Sequence, residues 1–240
     1  YVIEVNPRSS RTVPYISKVT GIPMIELATR AVIGEKLKDM GYGIGLQPPR
    51  DIVAVKVPVF SFEKLPLVEV SLGPEMKSTG EVLGLADDFS MALSKAFIAG
   101  GYKIPQQGEI LATIADKDKE EALPLLRSFA ELGFTIWATG GTAAFLEQKG
   151  VPVRKVGKLH EGSPHVVDLI RSGSLGFVIN SLTKGKQPMR DGFQIRRAAV
   201  EFNIPCLTSL DTVGGLLSVI RQSKERELTV KPLQDYLQSL

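Results

Sequence analysis

The feature that most constrains this chain is its rhythm after residue 108. Short apolar runs at 110–115, 134–138, 151–156, 175–180 and 205–208 alternate with amphipathic stretches at 119–132, 142–148, 165–171, 193–202 and 212–222. Repeated alternation of strand-like runs and helical stretches with short loops is the pattern of a parallel sheet covered by helices. The stretches between the runs are long enough for right-handed helical crossovers. The pattern predicts an α/β domain, a five-stranded parallel Rossmann-like sheet with helices on both faces. Residues 232–240 read as one more helix, with Pro232 at its first turn.

Residues 1–106 lack that rhythm. Residues 1–5 read as a strand rich in β-branched and aromatic side chains, followed by a polar turn at 6–11. Helical spacing runs over 23–40, with Ile25, Leu27, Ala28, Ala31, Val32 and Leu37 on one side. Glycine and proline make 41–50 a loop, 53–62 alternates as a strand, 73–84 reads as a polar loop and 87–98 has helical spacing. Small and polar residues over 100–108 mark a boundary. The expected division is an incomplete α+β unit at 1–106 and the α/β domain at 107–240. A native chain rarely begins inside a strand, so a piece of a longer protein is expected, with the partners of its first strand elsewhere.

Composition removes several functions. No run of eighteen apolar residues exists, so no membrane span is expected, and no apolar-cored signal peptide opens the chain. A formal net charge of +3 is too mild to imply nucleic acid but permits an anionic small ligand. Cys206 is the single cysteine, and His160 and His165 are the two histidines. That excludes an internal disulfide, a multi-cysteine metal site and a histidine-rich zinc site. Cys206 itself reads as an inert core residue.

In an open parallel sheet, ligands bind beyond the carboxyl ends of the strands. The first run there is followed by Asp116-Lys117-Asp118-Lys119 and the second by Thr139-Gly140-Gly141-Thr142. The third leads to Lys158 and the fourth to Asn180-Ser181, with Thr183, Lys184 and Lys186 nearby. Glycines before a helix let the backbone approach a phosphate, flanking hydroxyls donate to it and lysines supply charge. The competing reading is a tight turn with threonine caps. Asp116 and Asp118 are candidate bases, but capping the helix at Lys119 is the favoured role. His160 and His165 read as acid–base groups or as structural ones, and Phe134 and Trp137 as core. At the other end, Glu4 and Asn6 offer two oxygens on one face of a strand, as magnesium prefers. Arg8 and Arg11 follow as donors to anionic oxygens. The competing reading there is a surface turn with an ion pair.

Two longer motifs carry a resemblance. Residues 4–14, Glu-Val-Asn-Pro-Arg-Ser-Ser-Arg-Thr-Val-Pro, resemble the carboxyl-terminal ATP-grasp motif of the carbamoyl-phosphate synthase large-subunit family. Residues 72–82, Leu-Gly-Pro-Glu-Met-Lys-Ser-Thr-Gly-Glu-Val, resemble a second signature of that family. From about Gly108 the chain resembles the family's allosteric domain, which has the methylglyoxal-synthase-like fold. The whole enzyme so implied is a cytoplasmic, glutamine-dependent ligase. It makes carbamoyl phosphate from bicarbonate, glutamine-derived ammonia and two ATP, for pyrimidine and arginine synthesis.

The resemblance also implies roles. Glu4 and Asn6 match cofactor-binding ligands of Mg2+ or Mn2+ beside ATP, and Arg8 and Arg11 match arginines of the carbamate-phosphorylating site. Thr113, Lys119, Thr139, Gly141, Thr142, Lys158, Asn180 and Thr183 match contacts to a nucleotide effector. The segment 181–186 is one residue longer than the family pattern, which leaves Leu182 and Thr183 as alternatives. The implied partners are the rest of the large subunit, a glutaminase small subunit and an effector. UMP is the leading effector, with IMP and phosphoribosyl pyrophosphate as alternatives. A homo-oligomer is possible, and neither nucleic acid nor membrane is implied. Val55, Thr208, Ser209 and Leu210 stand where relatives hold ornithine with acidic and hydroxyl groups, which speaks against ornithine activation. The chain alone is not expected to catalyse the ligase reaction. The alternative is a free-standing methylglyoxal-synthase-like phosphate lyase. Such a lyase needs an acidic base in a Gly-Gly-Asp segment, whereas Gly214-Gly215 here is followed by Leu216-Leu217.

Overall fold

The computed structural model describes residues 3–6, 8–64, 70, 72–73, 75–182 and 191–238. The chain forms two compact units. The first is drawn from Tyr1–Pro58, Gly80–Gly100 and Leu228–Leu240, the second from Val59–Thr79 and Gly101–Glu227.

In the first unit, residues 3–5 of the expected opening strand form no strand, and residues 1 and 2 lie outside the described residues. Ile3 to Asn6 lie in no regular element, and Ile3 is 98% exposed. Strand propensity is realised only against a pairing neighbour, and none stands beside these residues among those described. Helix α1 (Thr12–Thr20) follows, which the sequence reading did not anticipate. Pro14 lies in its first turn, where a proline is tolerated. Gly21, with φ 72°, closes it through an N–H to the Ser17 carbonyl. The helical spacing of 23–40 yields a shorter helix, α2 (Met24–Val32). Gly34, with φ 105°, turns the chain before a single 3-10 turn at Leu37–Asp39.

Strands β1 (Val53–Val59) and β2 (Gly80–Ala86) form a two-stranded antiparallel sheet, so the polar loop expected over 73–84 ends in a strand. Helix α3 (Phe89–Ala99) is capped by Asp88, whose Oδ1 accepts from the Met91 N–H at 2.8 Å. Its backbone lies so close to β2 that a Cβ on Gly84 would fall 1.9 Å from the Ala92 carbonyl oxygen. Ala92 and Ala96, both 0% exposed, complete that apposition. The chain's final helix, Leu233–Gln238, also belongs to this unit.

The second unit is the expected parallel sheet. Its strands are β3 (Glu109–Thr113), β4 (Thr135–Ala138), β5 (Arg154–Lys155), β6 (Leu175–Asn180) and β7 (Cys206–Leu207). They lie in the order β5-β4-β3-β6-β7, all parallel. The connecting helices are α4 (Lys119–Glu131), α5 (Gly140–Gln148), α6 (Val166–Arg171) and α7 (Asp191–Glu201), and α8 (Leu210–Glu225) follows β7. Ile110, Leu111 and Ala112 are each 0% exposed, which is why β3 reads as an unbroken apolar run. On one face Phe129 of α4 meets Phe177 of β6 with ring centroids 5.3 Å apart. On the other, Leu111 and Val178 pack with Val166 and Ile170 of α6 and Ile195 and Ala199 of α7.

The chain runs outward from β3 through β4 to β5, then returns to β6 on the opposite side of β3. That reversal makes the carboxyl ends of β3 and β6 the topological switch point. The residues paired in register there are Thr113 and Asn180. Among the described residues no helix is long and apolar enough to cross a membrane.

Candidate functional site

The switch point is a buried polar network. Asn180 and Thr113 are 4% and 9% exposed, and Arg196, one turn into α7, is 8% exposed. Arg196 Nη1 donates to Asn180 Oδ1 at 2.7 Å. Asn180 Nδ2 donates to Thr113 Oγ1 at 2.7 Å, and the Thr113 hydroxyl donates to the Ile179 carbonyl at 3.3 Å. Buried polar groups of this kind persist because each is satisfied. Beside them the Ser181 hydroxyl accepts from the Ala115 N–H at 2.8 Å, tying the end of β6 to the loop after β3.

The Thr139-Gly140-Gly141-Thr142 segment turns directly from β4 into α5. Thr139 holds the extended N-cap conformation at φ −73°, ψ 157°, but its side chain makes no cap hydrogen bond. The capping alternative for Thr139 is therefore not realised, and its hydroxyl stands at the positive end of the helix. Thr142 does something else. Its buried hydroxyl accepts from the Ile114 N–H at 3.1 Å and donates to the Ile114 carbonyl at 3.3 Å. It locks the loop after β3 onto α5.

Lys119, at the start of α4, reaches across to this turn. Its ammonium donates to the Gly141 carbonyl at 2.9 Å and pairs with Asp116 at 2.6 Å. The lysine side chain is only 16% exposed and the carboxylate 95%. Lys119, through that contact, holds the Asp116 carboxyl below the usual carboxylate range, and the charge of Lys158 adds to the effect. Lys158 follows β5, and its own N–H donates to Glu161 Oε2 at 2.8 Å. Lys119, the turn, Thr113 and Asn180 thus stand along one sheet edge, and Lys158 acts on the same carboxylate.

Several expectations change. Asp116 and Asp118 cap nothing with their side chains, because a 3-10 turn over Asp116–Asp118 runs straight into α4 and the cap position is not extended. Asp118 pairs instead with Lys117 at 2.8 Å, and that lysine and Ser181 lower its pKa. His165 takes the structural role. It caps α6, accepting from the Asp168 N–H at 3.3 Å, while Asp168 Oδ2 accepts from the His165 N–H at 3.0 Å. His160 is exposed and 3.9 Å from Asp191. Phe134 is core, and Trp137 is partly buried beneath the Arg154 guanidinium at 5.5 Å. Burial pushes the Cys206 thiol up to about 12, so it is inert at neutral pH. Thr183, Lys184 and Lys186 lie outside the described residues; the alternative Leu182 is half-buried just beyond Ser181.

Sequence reasoning missed Arg196. The available signal is an arginine flanked by Ile195, Ala198 and Ala199 on the buried stripe of a helix, where an unpaired charge would be costly.

At the other end of the chain, Asn6 Nδ2 donates to Glu4 Oε1 at 3.1 Å, and the Arg8 N–H closes a tight turn on the Asn6 carbonyl at 2.8 Å. Both side chains are exposed. That contact uses one Glu4 carboxylate oxygen and the Asn6 amide nitrogen, and the second carboxylate oxygen and the Asn6 side-chain oxygen are of the type a hard divalent cation takes. Two oxygens do not complete a magnesium shell, so waters or the oxygens of a bound anion would have to supply the rest. Arg8 donates to the neighbouring Ser9 carbonyl at 3.3 Å. Arg11 lines a pocket of about 640 Å³ with Tyr15, Lys18, Lys95 and Tyr236. Of the positions compared with ornithine sites, Val55 packs under the Ala86–Met91–Ala92 cluster, and Ser209 precedes α8 without a side-chain cap.

Comparison with known families gives two matches. The model described as the MGS-like domain matches residues 121–208, from α4 to β7 and the residue after it. The model described as the carbamoyl-phosphate synthase L chain, ATP binding domain, matches residues 1–40, which hold the Glu4–Arg11 segment, α1 and α2.

Proposed function

Because these two matches, in this order, are those of the C-terminal part of a carbamoyl-phosphate synthase large subunit, we propose that the chain carries that enzyme's effector control. The observation that carries the reading is the sheet edge. A helix-opening Gly-Gly turn, a Thr139 whose side chain makes no cap bond, Lys119 and the Thr113–Asn180 pair stand along the sheet edge at the switch point, with the charge of Lys158 acting on Asp116 there, an arrangement suited to a phosphate. The ligand we assign is a nucleoside monophosphate, UMP first, with IMP and phosphoribosyl pyrophosphate sharing the phosphate contact.

The ATP-binding match supports ATP use by the enzyme. We propose that Glu4 and Asn6 hold Mg2+ or Mn2+ against the phosphates of ATP, and that Arg8 and Arg11 face anionic intermediates. We likewise propose the division near residue 106 between an ATP-grasp portion and the regulatory domain. The same proposal covers glutamine as the ammonia source, the glutaminase partner, the cytoplasmic setting and the role in pyrimidine and arginine synthesis. The lyase reading is disfavoured by Asp116. The carboxylate at this edge is ion-paired with Lys119 and held ionised by it, and a base so stabilised is weak.

Calorimetric titration of the chain with UMP tests the assignment. Lys158→Ala should weaken binding about tenfold or more, the loss of one charge-assisted contact, with the unfolding midpoint little changed. Undiminished binding would move the effector away from this edge. Methylglyoxal release from dihydroxyacetone phosphate would favour the lyase.

A further inference from the structure

A guanidinium has five donors and no acceptor. Its 2.7 Å contact with Asn180 must therefore be made to the amide oxygen, which removes the usual ambiguity over which way the amide faces. With Oδ1 committed to Arg196, Nδ2 is turned to Thr113 Oγ1 at 2.7 Å, and the single Thr113 hydrogen goes on to the Ile179 carbonyl. One buried cation thus sets the direction of three successive hydrogen bonds across the switch point. Nδ2 carries a second hydrogen that none of these contacts uses. We infer that Arg196 is a positioning residue which fixes Asn180 as a donor toward the effector, so that the site reads an oxygen acceptor there and rejects a donor.

The inference rests on the effector reading of this edge and adds a residue and a selection rule to it. Without the guanidinium, the amide can rotate by half a turn at almost no change in shape and present its oxygen instead. A buried donor left unpaired by the wrong ligand is then what enforces the choice. Packing reinforces the arrangement. A Cβ on Gly192, in the first turn of α7, would lie 3.1 Å from Arg196 Nη1 and 3.6 Å from Asn180 Oδ1, so the helix presses on the pair with no side chain between.

The experiment is a double-mutant cycle read by UMP titration of the chain: wild type, Arg196→Met, Asn180→Ala and the double variant. Arg196→Met should weaken binding tenfold or more, and in the Asn180→Ala background it should change binding less than about twofold, since 1.4 kcal/mol corresponds to tenfold. Arg196→Lys keeps a cationic donor and should recover most of the loss. A merely structural arginine would cost the same factor in both backgrounds, and that result, or unchanged binding in Arg196→Met, overturns the inference. If Arg196→Met does not fold, the cycle with Arg196→Lys carries the test: its residual loss of about threefold should appear with Asn180 present and vanish in the Asn180→Ala background, and an equal loss in both backgrounds overturns the inference. No UMP binding by the wild type fails the effector reading itself, and this inference falls with it. Wild-type binding without Arg196–Asn180 coupling fails the inference alone.

Discussion

The two candidate sites are built by opposite means. At the carboxyl edge of the parallel sheet, the groups we propose for the effector are also groups that hold the unit together. Thr142 bonds both polar groups of Ile114, Asn180 is held between Arg196 and Thr113, and Lys119 anchors on Gly141. In the segment from Glu4 to Arg8, the proposed site side chains hydrogen-bond, among the described residues, to one another and to adjacent backbone. The first arrangement is preorganised, so an anion meets donors that need little rearrangement. The second presents oxygens whose geometry is completed by what they bind. The difference implies that substitutions at the two sites will separate stability from function differently.

The largest effect should come from neither site but from the core of the first unit. A methyl group at Gly84 cannot be placed 1.9 Å from the Ala92 carbonyl, so β2 and α3 must move apart. Overpacking typically costs 1–3 kcal/mol, and a clash with rigid backbone belongs at or above the top of that range, about 3 kcal/mol. Gly84→Ala should abolish amide-exchange protection in β2 and α3. Unchanged protection there would show that the two elements are less tightly apposed.

Next comes Thr142→Val, which sharpens the comparison directly. It preserves shape but leaves the buried Ile114 N–H without its partner, at a cost of about 1–3 kcal/mol. Chemical denaturation should show that loss even with no ligand present. A fully stable Thr142→Val chain would mean that the hydroxyl serves binding alone.

How much of this was legible follows from the range of each interaction. The parallel sheet was legible because short apolar runs, such as 110–115, alternate with amphipathic helical stretches, and that order leaves parallel pairing with helical crossovers. The Thr-Gly-Gly-Thr turn was legible because glycine and hydroxyl chemistry is local. Residues 3–5 form no strand because strand propensity has no force without a neighbour to pair with, and none stands there among the described residues. Helix α1 was missed because its few apolar positions, Val13 and Ile16 among them, are interleaved with Ser17 and Lys18. Asp116 and Asp118 looked like caps because their spacing to the helix is right; only the 3-10 turn shows that their backbone is not. Arg196 was invisible as a partner of Asn180 because the contact is made by packing α7 on β6, sixteen residues apart in sequence.

A smaller effect is expected in acid. Asp168 accepts from the His165 N–H and from the Ser163 hydroxyl, and those contacts hold its carboxyl below the ordinary value. Asp116 and Asp118 are lowered by their lysines. For all three the unfolded chain takes up its proton at a higher pH than the folded one. Their contribution is therefore present above about pH 4 and is lost as the pH falls through the folded values. Asp168→Asn should lower the unfolding temperature at neutral pH and make its decline in acid shallower. Parallel acid limbs for variant and wild type would assign the acid sensitivity elsewhere.

The smallest effect should be Glu4→Gln. The glutamine side-chain oxygen can still accept from Asn6 Nδ2, the surroundings are exposed, and no other described group depends on the carboxylate. Surface changes of this kind seldom alter stability measurably, so the unfolding midpoint should match that of the wild type. What the substitution removes is a charge, and a hard divalent cation depends on that charge more than on the hydrogen bond. In the complete enzyme, Glu4→Gln should therefore depress turnover and shift its magnesium dependence to higher concentration, while the isolated chain shows no difference in melting. The contrast with Thr142→Val is the point at issue, since one variant loses stability without any ligand and the other loses function without stability. A clear drop in the melting temperature of the Glu4→Gln chain would show that the Glu4–Asn6 pair is part of the fold, and the opposition between the two sites would then disappear.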